Sequence, residues 1–163
     1  MIKEQMIEKM IVFCQGNTHD ISHFLKVLSF ASLIGRMESL DETDLNTLEY
    51  AAIVHDIACP LCRLKYGHTK GGYQERESEP LLRPFLEEFP ISESVKERVI
   101  YLVSHHHTYH PVDGIDHQIL LEADFLVNAG ESEKYARVVE EFRKNVFKTV
   151  SGLRLLQEMY PAQ

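Results

Sequence analysis

Apolar residues recur at three- and four-residue intervals through most of the chain, and no stretch alternates apolar with polar positions as a half-buried strand does. Ile2, Met6, Ile7, Met10, Ile11 and Phe13 predict an amphipathic helix over residues 2–14, stopped by Gly16. Asn17 or Thr18 can cap a second helix over 19–38, whose apolar side carries Ile21, Phe24, Leu25, Leu28, Ala31, Leu33 and Ile34. Asp41 and Thr43 are caps for a third, in which Leu45, Leu48, Ala51, Ala52 and Ile53 lead straight into His55 and Asp56. The pattern breaks over 57–72, where Pro60, Gly67, Gly71 and Gly72 lie among basic side chains, and this stretch reads as a surface loop. Helical spacing returns over 73–88, started or interrupted at Pro80, then over 92–107, 116–129 and in segments from 132 to about 159. The fold class is therefore all-α, a compact bundle of six or more helices, and with no repeat or linker in 1–163 the expectation is a single domain.

Composition narrows the partners. A chain of 163 residues with a net charge of −8 offers no broad basic surface for a nucleic-acid polymer or an anionic membrane. The first sixteen residues carry charges every few positions, unlike a secretory signal or a membrane span, so a cytoplasmic location is expected. Cys14, Cys59 and Cys62 are too few for a disulfide framework and are expected reduced. Cys59 and Cys62 have CxxC spacing, but no second pair for structural zinc and no strand before them. Nine histidines stand out, four of them at 105, 106, 107 and 110.

Polarity at the end of the apolar run AAIVHD needs a partner. Adjacent helical residues point about 100° apart, so His55 and Asp56 reach one ion only near a helix end, with other helices closing the far side. His23 and Asp124 can close it. Asp124 lies in the apolar LLEADFLVN, where a buried carboxylate is costly without a cation or several donors. Two imidazole nitrogens and two carboxylate oxygens leave room for water around Mn, Fe, Mg, Co, Ni or Zn as a divalent ion, and the residues do not choose among them.

These residues, in the contexts THDISHFLKVLSFA, LEYAAIVHDIA and ILLEADFLVN, resemble the HD-domain metal-dependent phosphohydrolases over about residues 17–130. KYGHTKGGYQERES and VSHHHTY are similar to a subgroup of small bacterial HD proteins. The resemblance implies His23, His55, Asp56 and Asp124 as ligands of one divalent metal. His68 and His106 are the candidates for a second ion, and His106 for a phosphate contact if there is only one. The first His–Asp pair, His19 with Asp20, is not the namesake pair; Asp20 either caps its helix or orients His23. In the branch that hydrolyses guanosine tetraphosphate an acidic pair closely follows the His–Asp, whereas here Asp56 is followed by IACPLC.

The expected activity is hydrolysis of a small phosphate ester, with a nucleotide among the candidates. Asp56, His106 and Glu75 would serve catalysis, and Arg76, Lys70, Lys65 and His105 the substrate's charge. His106 is the member of the histidine run that best shares the inward face of Leu102 and Val103, with His105 its rival. His107 and His110 divide evenly between the site and a solvated helix end, and His117 reads as surface. A homodimer stays open. Taken singly, His23, Asp56 and Asp124 are each better explained as a cap or a buried polar group; together they favour a site. The alternative is a non-catalytic HD module that binds a nucleotide or protein, with a purely structural bundle behind it.

Overall fold

A computed structural model describes residues 1–162, which carry helices and turns and, among the described residues, no strand. In chain order the helices are α1 (Ile2–Phe13), α2 (Thr18–Met37), α3 (Glu42–Val54), α4 (Cys59–Tyr66), α5 (Gly71–Glu87), α6 (Glu93–Ser104), α7 (Gly114–Glu131), α8 (Glu133–Ala136), α9 (Val139–Asn145) and α10 (Val150–Met159). None is long and apolar enough to cross a membrane.

Side-chain caps set several of these starts. Asn17 accepts from the Asp20 N–H at 3.1 Å, Asp41 from that of Asp44 at 2.9 Å, and Thr149 from that of Gly152 at 2.9 Å. Helix α7 is the spine. From Asp116 to Val127 every residue is buried, and the helix packs against both α2 and α3 while touching α6, α8 and α10. Phe24, Val27, Ala31 and Ile34 of α2 join Leu48, Ala51 and Ala52 of α3 and Leu102 and Val103 of α6 in the common core. Gly35 lets α2 and α3 approach closely, since a Cβ there would come within 2.9 Å of Leu45.

The structure corrects the expected loop over 57–72: eight of those residues form α4, and only the stretch from Gly67 to Lys70 is open. Pro60 does not break the helix. It stands in the first turn of α4, where the missing N–H costs nothing and the fixed φ suits a helix, and Gly67 at φ +72° ends the helix. Nor does Pro80 break α5, which runs through both Pro80 and Pro84. The two prolines are four apart on the exposed face, where water can satisfy the carbonyls they leave free. His117 is also corrected, being fully buried: its Nδ1 accepts from the Asp113 N–H at 3.2 Å and its Nε2–H donates to His105 O at 2.8 Å, closing the turn before α7.

At the C-terminal end, Glu122 of α7 is buried and accepts from the N–H groups of Lys148 and Thr149, the Thr149 hydroxyl and the Gln118 amide. A Cβ on Gly152 would fall onto that carboxylate. Alanine in a helix is otherwise favoured over glycine by about 1 kcal/mol, so the sign of the substitution measures the crowding. Gly152→Ala is expected to destabilise the protein by about 1–3 kcal/mol, read as a lower urea midpoint at unchanged slope.

Candidate metal centre

Four helices deliver their polar side chains to one point inside this bundle. His23 comes from the second turn of α2, His55 caps the C-terminus of α3 with Asp56 in the turn beyond it, His106 lies in the turn after α6, and Asp124 is mid-α7. The end of α3 is what lets neighbouring residues converge, because the regular helical ladder gives way there to tighter turns, with the Ile57 N–H on Val54 O and the Cys59 N–H on Asp56 O. His23 Nε2 stands 3.1 Å from Asp124 Oδ1, 3.4 Å from Asp56 Oδ2 and 3.3 Å from His55 Nε2. His55 Nε2 is 3.4 Å from both Asp56 Oδ2 and Asp124 Oδ1. His106 Nε2 is 3.5 Å from Asp56 Oδ1 and carries no hydrogen bond. His55 and His106 are wholly buried, and His23 and Asp124 nearly so.

The outer ring nitrogens decide what the inner ones present. His55 Nδ1 donates to Ala52 O at 2.8 Å and His106 Nδ1 to Val103 O at 2.7 Å, while His23 Nδ1 faces Glu131 Oε2 at 2.7 Å. Carbonyl and carboxylate partners require N–H at each Nδ1, so in the neutral rings every Nε2 turns a lone pair inward. Three such nitrogens and two carboxylates then face one another in a buried volume, an arrangement that repels itself unless a cation stands among them. This donor set fits a divalent metal. His23, His55 and Asp56 offer ligand atoms all within 4.8 Å of one another, and so do Asp56, His106 and His107.

The titration behaviour agrees. Burial opposes a charge on His23, but its hydrogen bond to Asp124 and the charges of Asp56 and Asp124 outweigh it and push its pKa up to about 10. Burial likewise raises Asp56 and Asp124, and the surrounding imidazoles more than reverse it, holding both below the usual carboxylate range. A proton shared at His23 is thus the substitute for a cation. His107 behaves oppositely: burial and the neighbouring His106 push it down to about 3, leaving it a neutral acceptor.

A cavity of about 170 Å³ opens over the cluster. His23, Asp56 and Asp124 line it together with His19, Asp20, Cys59, Arg63, Thr69, Gln74, His107, Asn128, Glu131, Ser132 and Tyr135. Two of these carry buried atoms without a partner, Gln74 Oε1 and His107 Nε2. A larger groove of about 610 Å³ between α8–α9 and the C-terminal residues has no comparable cluster.

The other residues singled out from sequence lie elsewhere. Lys65 pairs with Glu77 at 2.9 Å, Arg76 lies over Tyr66 and Tyr73, and His68 packs on the same two tyrosines. Lys70 precedes α5 and is exposed. His105 stacks on Tyr101 and bonds its carbonyl, on the side of α6 away from the cavity. Glu75 does not line the cavity; it braces the histidine turn, accepting from the His107 N–H at 3.0 Å and the Thr108 hydroxyl at 2.8 Å. Asp20 neither caps α2 nor touches His23. Asn17 is the cap, Glu131 orients the imidazole, and Asp20 holds Arg63. Glu131, Arg63, Gln74 and His107 had no strong signal in sequence, since each lies in a polar context.

No curated protein matches the chain significantly. The model of the HD domain matches residues 20–142, three quarters of the chain and all of the cluster just described. The chain belongs to the HD-domain superfamily of metal-dependent phosphohydrolases.

Proposed function

We propose that the protein hydrolyses a small phosphate ester, with a nucleotide among the candidates, using a divalent cation held by His23, His55, Asp56 and Asp124. The observation that supports this most is the inward convergence of imidazole lone pairs and ionised carboxylates beneath a cavity of about 170 Å³. That volume takes a phosphoryl group and little more, so the remainder of a nucleotide would project through the mouth. A cation held there by His23, His55, Asp56 and Asp124 would supply a Lewis acid for a phosphoryl oxygen and a lowered water pKa.

The chain's own residues supply the rest. Glu131 and the Ala52 carbonyl keep His23 and His55 in the tautomers that present Nε2, so ligand geometry costs no rearrangement. His106 Nε2 has no hydrogen bond and stands 3.5 Å from Asp56 Oδ1, but His106 is wholly buried and does not line the cavity, which supports a donor to a cation over the expected phosphate contact. Glu75 contributes by position, fixing the turn that carries His106 and His107. A second ion is the variant favoured by one observation, the grouping of Asp56, His106 and His107; His68, packed on Tyr66 and Tyr73, is not part of it.

Elemental analysis of protein purified without a histidine tag is expected to find one or two equivalents of a divalent metal, and phosphate release from a panel of nucleotides and phosphomonoesters should be abolished by a chelator. Metal-free protein that turns nothing over after metal loading would sink the reading. Asp56→Ala should remove turnover, by about 10³-fold or more, with helicity by circular dichroism preserved; equal loss of both would mark a structural role instead. Glu131→Ala removes only the acceptor behind His23 and should weaken metal affinity about 10- to 100-fold, measured by competition with a chromophoric chelator.

A further inference from the structure

Phosphate binding needs cationic donors, and few reach this cavity. Among the side chains lining it Arg63 is the one lysine or arginine. We infer that Arg63 binds the anionic group of the substrate and that Asp20 is its positioning residue. This rests on the phosphohydrolase reading of the same site.

The placement follows from two helices. Cys59 and Arg63 are one turn apart on α4 and both line the cavity, while Asp20 and His23 are one turn apart on α2 and do the same. Arg63 Nη1 donates to Asp20 Oδ2 and Nη2 to Oδ1, each at 2.7 Å, the paired geometry that suits a planar guanidinium to a carboxylate. One turn of α2 therefore carries both a ligand of the metal centre and the anchor of the arginine, so the separation of the two is set by a rigid element.

A guanidinium has five N–H groups, and Asp20 takes two. Three remain for an incoming oxyanion while the side chain stays in place. Arg63 is 42 % exposed and Asp20 12 %, so the pair lies where solvent meets the site, with its anchored end the more buried. Asp20, Asp56, Asp124 and Glu131 all line the cavity, and a phosphate dianion entering it meets four carboxylates. Arg63 pairs with Asp20 and Lys26 with Glu131, and the N–H groups Arg63 keeps free, together with the cation the centre would hold, would offset the repulsion of Asp56 and Asp124. Lysine cannot replace it, since a single ammonium cannot hold Asp20 through both oxygens and still offer a directed edge.

The test uses inorganic phosphate as the probe, titrated calorimetrically into the whole protein both metal-free and loaded with Mn²⁺. Metal content and circular dichroism are recorded for each variant. Arg63→Met is expected to weaken phosphate binding about 10- to 100-fold at unchanged metal content and helicity. Arg63→Lys should recover less than half of that loss on a logarithmic scale, and Asp20→Asn should cost about 2- to 5-fold. Equal phosphate affinity in Arg63→Met and the parent overturns the assignment even if metal and turnover are intact; so does a metal-loaded parent that binds no phosphate. Unchanged affinity in Asp20→Asn removes the positioning role. If the parent takes up no metal, the proposed function fails on that result, and Arg63 is judged on the metal-free titration, where the same loss supports it and equal binding overturns it.

Discussion

Ionised carboxylates do not belong in the middle of a helical bundle, and the architecture of this protein is organised around two that are there. Asp56 and Asp124 are surrounded by His23, His55 and His106, whose ring nitrogens come within 3.1–3.5 Å of the carboxylate oxygens. Imidazoles whose outer nitrogens are tied to Ala52, Val103 and Glu131 have one way left to reduce the repulsion within the cluster, a positive charge at its centre. A proton on His23 supplies part of it, and a divalent metal held there would supply more, having room for several ligands at once.

Holding like-charged ligand atoms together requires a frame that does not yield. Helix α7 supplies it, being buried nearly throughout and clamped by α2 on one side and α3 on another. The polar groups arrive from places where the backbone allows it: a helix end for His55 and Asp56, a turn for His106, and the interior of a helix only for His23 and Asp124, each facing the cluster. The periphery is built to lower precision. Lys65, Glu77, Arg76, Tyr66, His68 and Tyr73 form an exposed patchwork of ion pairs and ring contacts at the α4–α5 corner, where each contact is worth little.

Legibility followed burial. Three of the four metal-ligand candidates were readable because they are polar interruptions of apolar runs, an expensive arrangement that a sequence shows plainly: HD closing AAIV, D within LLEADFLVN; His23, in the polar context THDISH, was legible only through the family resemblance. Gln74, Arg63 and Glu131 interrupt nothing. They sit in segments already rich in charge, and only folding brings them to the cavity. Lys65 and Lys70 looked like substrate contacts because their segment reads as a flexible loop, and Arg76 because it opens the next helix, whereas the structure leaves those side chains outside the cavity and brings Arg63 to its edge.

What the sequence by itself determined is the class of the fold, the helices with long apolar faces and the four residues most costly to bury without a cation. These are properties of local spacing and of transfer free energy, which need no knowledge of neighbours. Tertiary structure decided that Pro60 begins a helix, that His106 turns to the cluster while His105 turns to Tyr101, and that Glu131, over a hundred residues from His23, completes it. The difference is physical: an acceptor for an imidazole N–H is selected by distance in space, and in a bundle of this kind the nearest carboxylate is set by how the helices pack, not by where it stands along the chain.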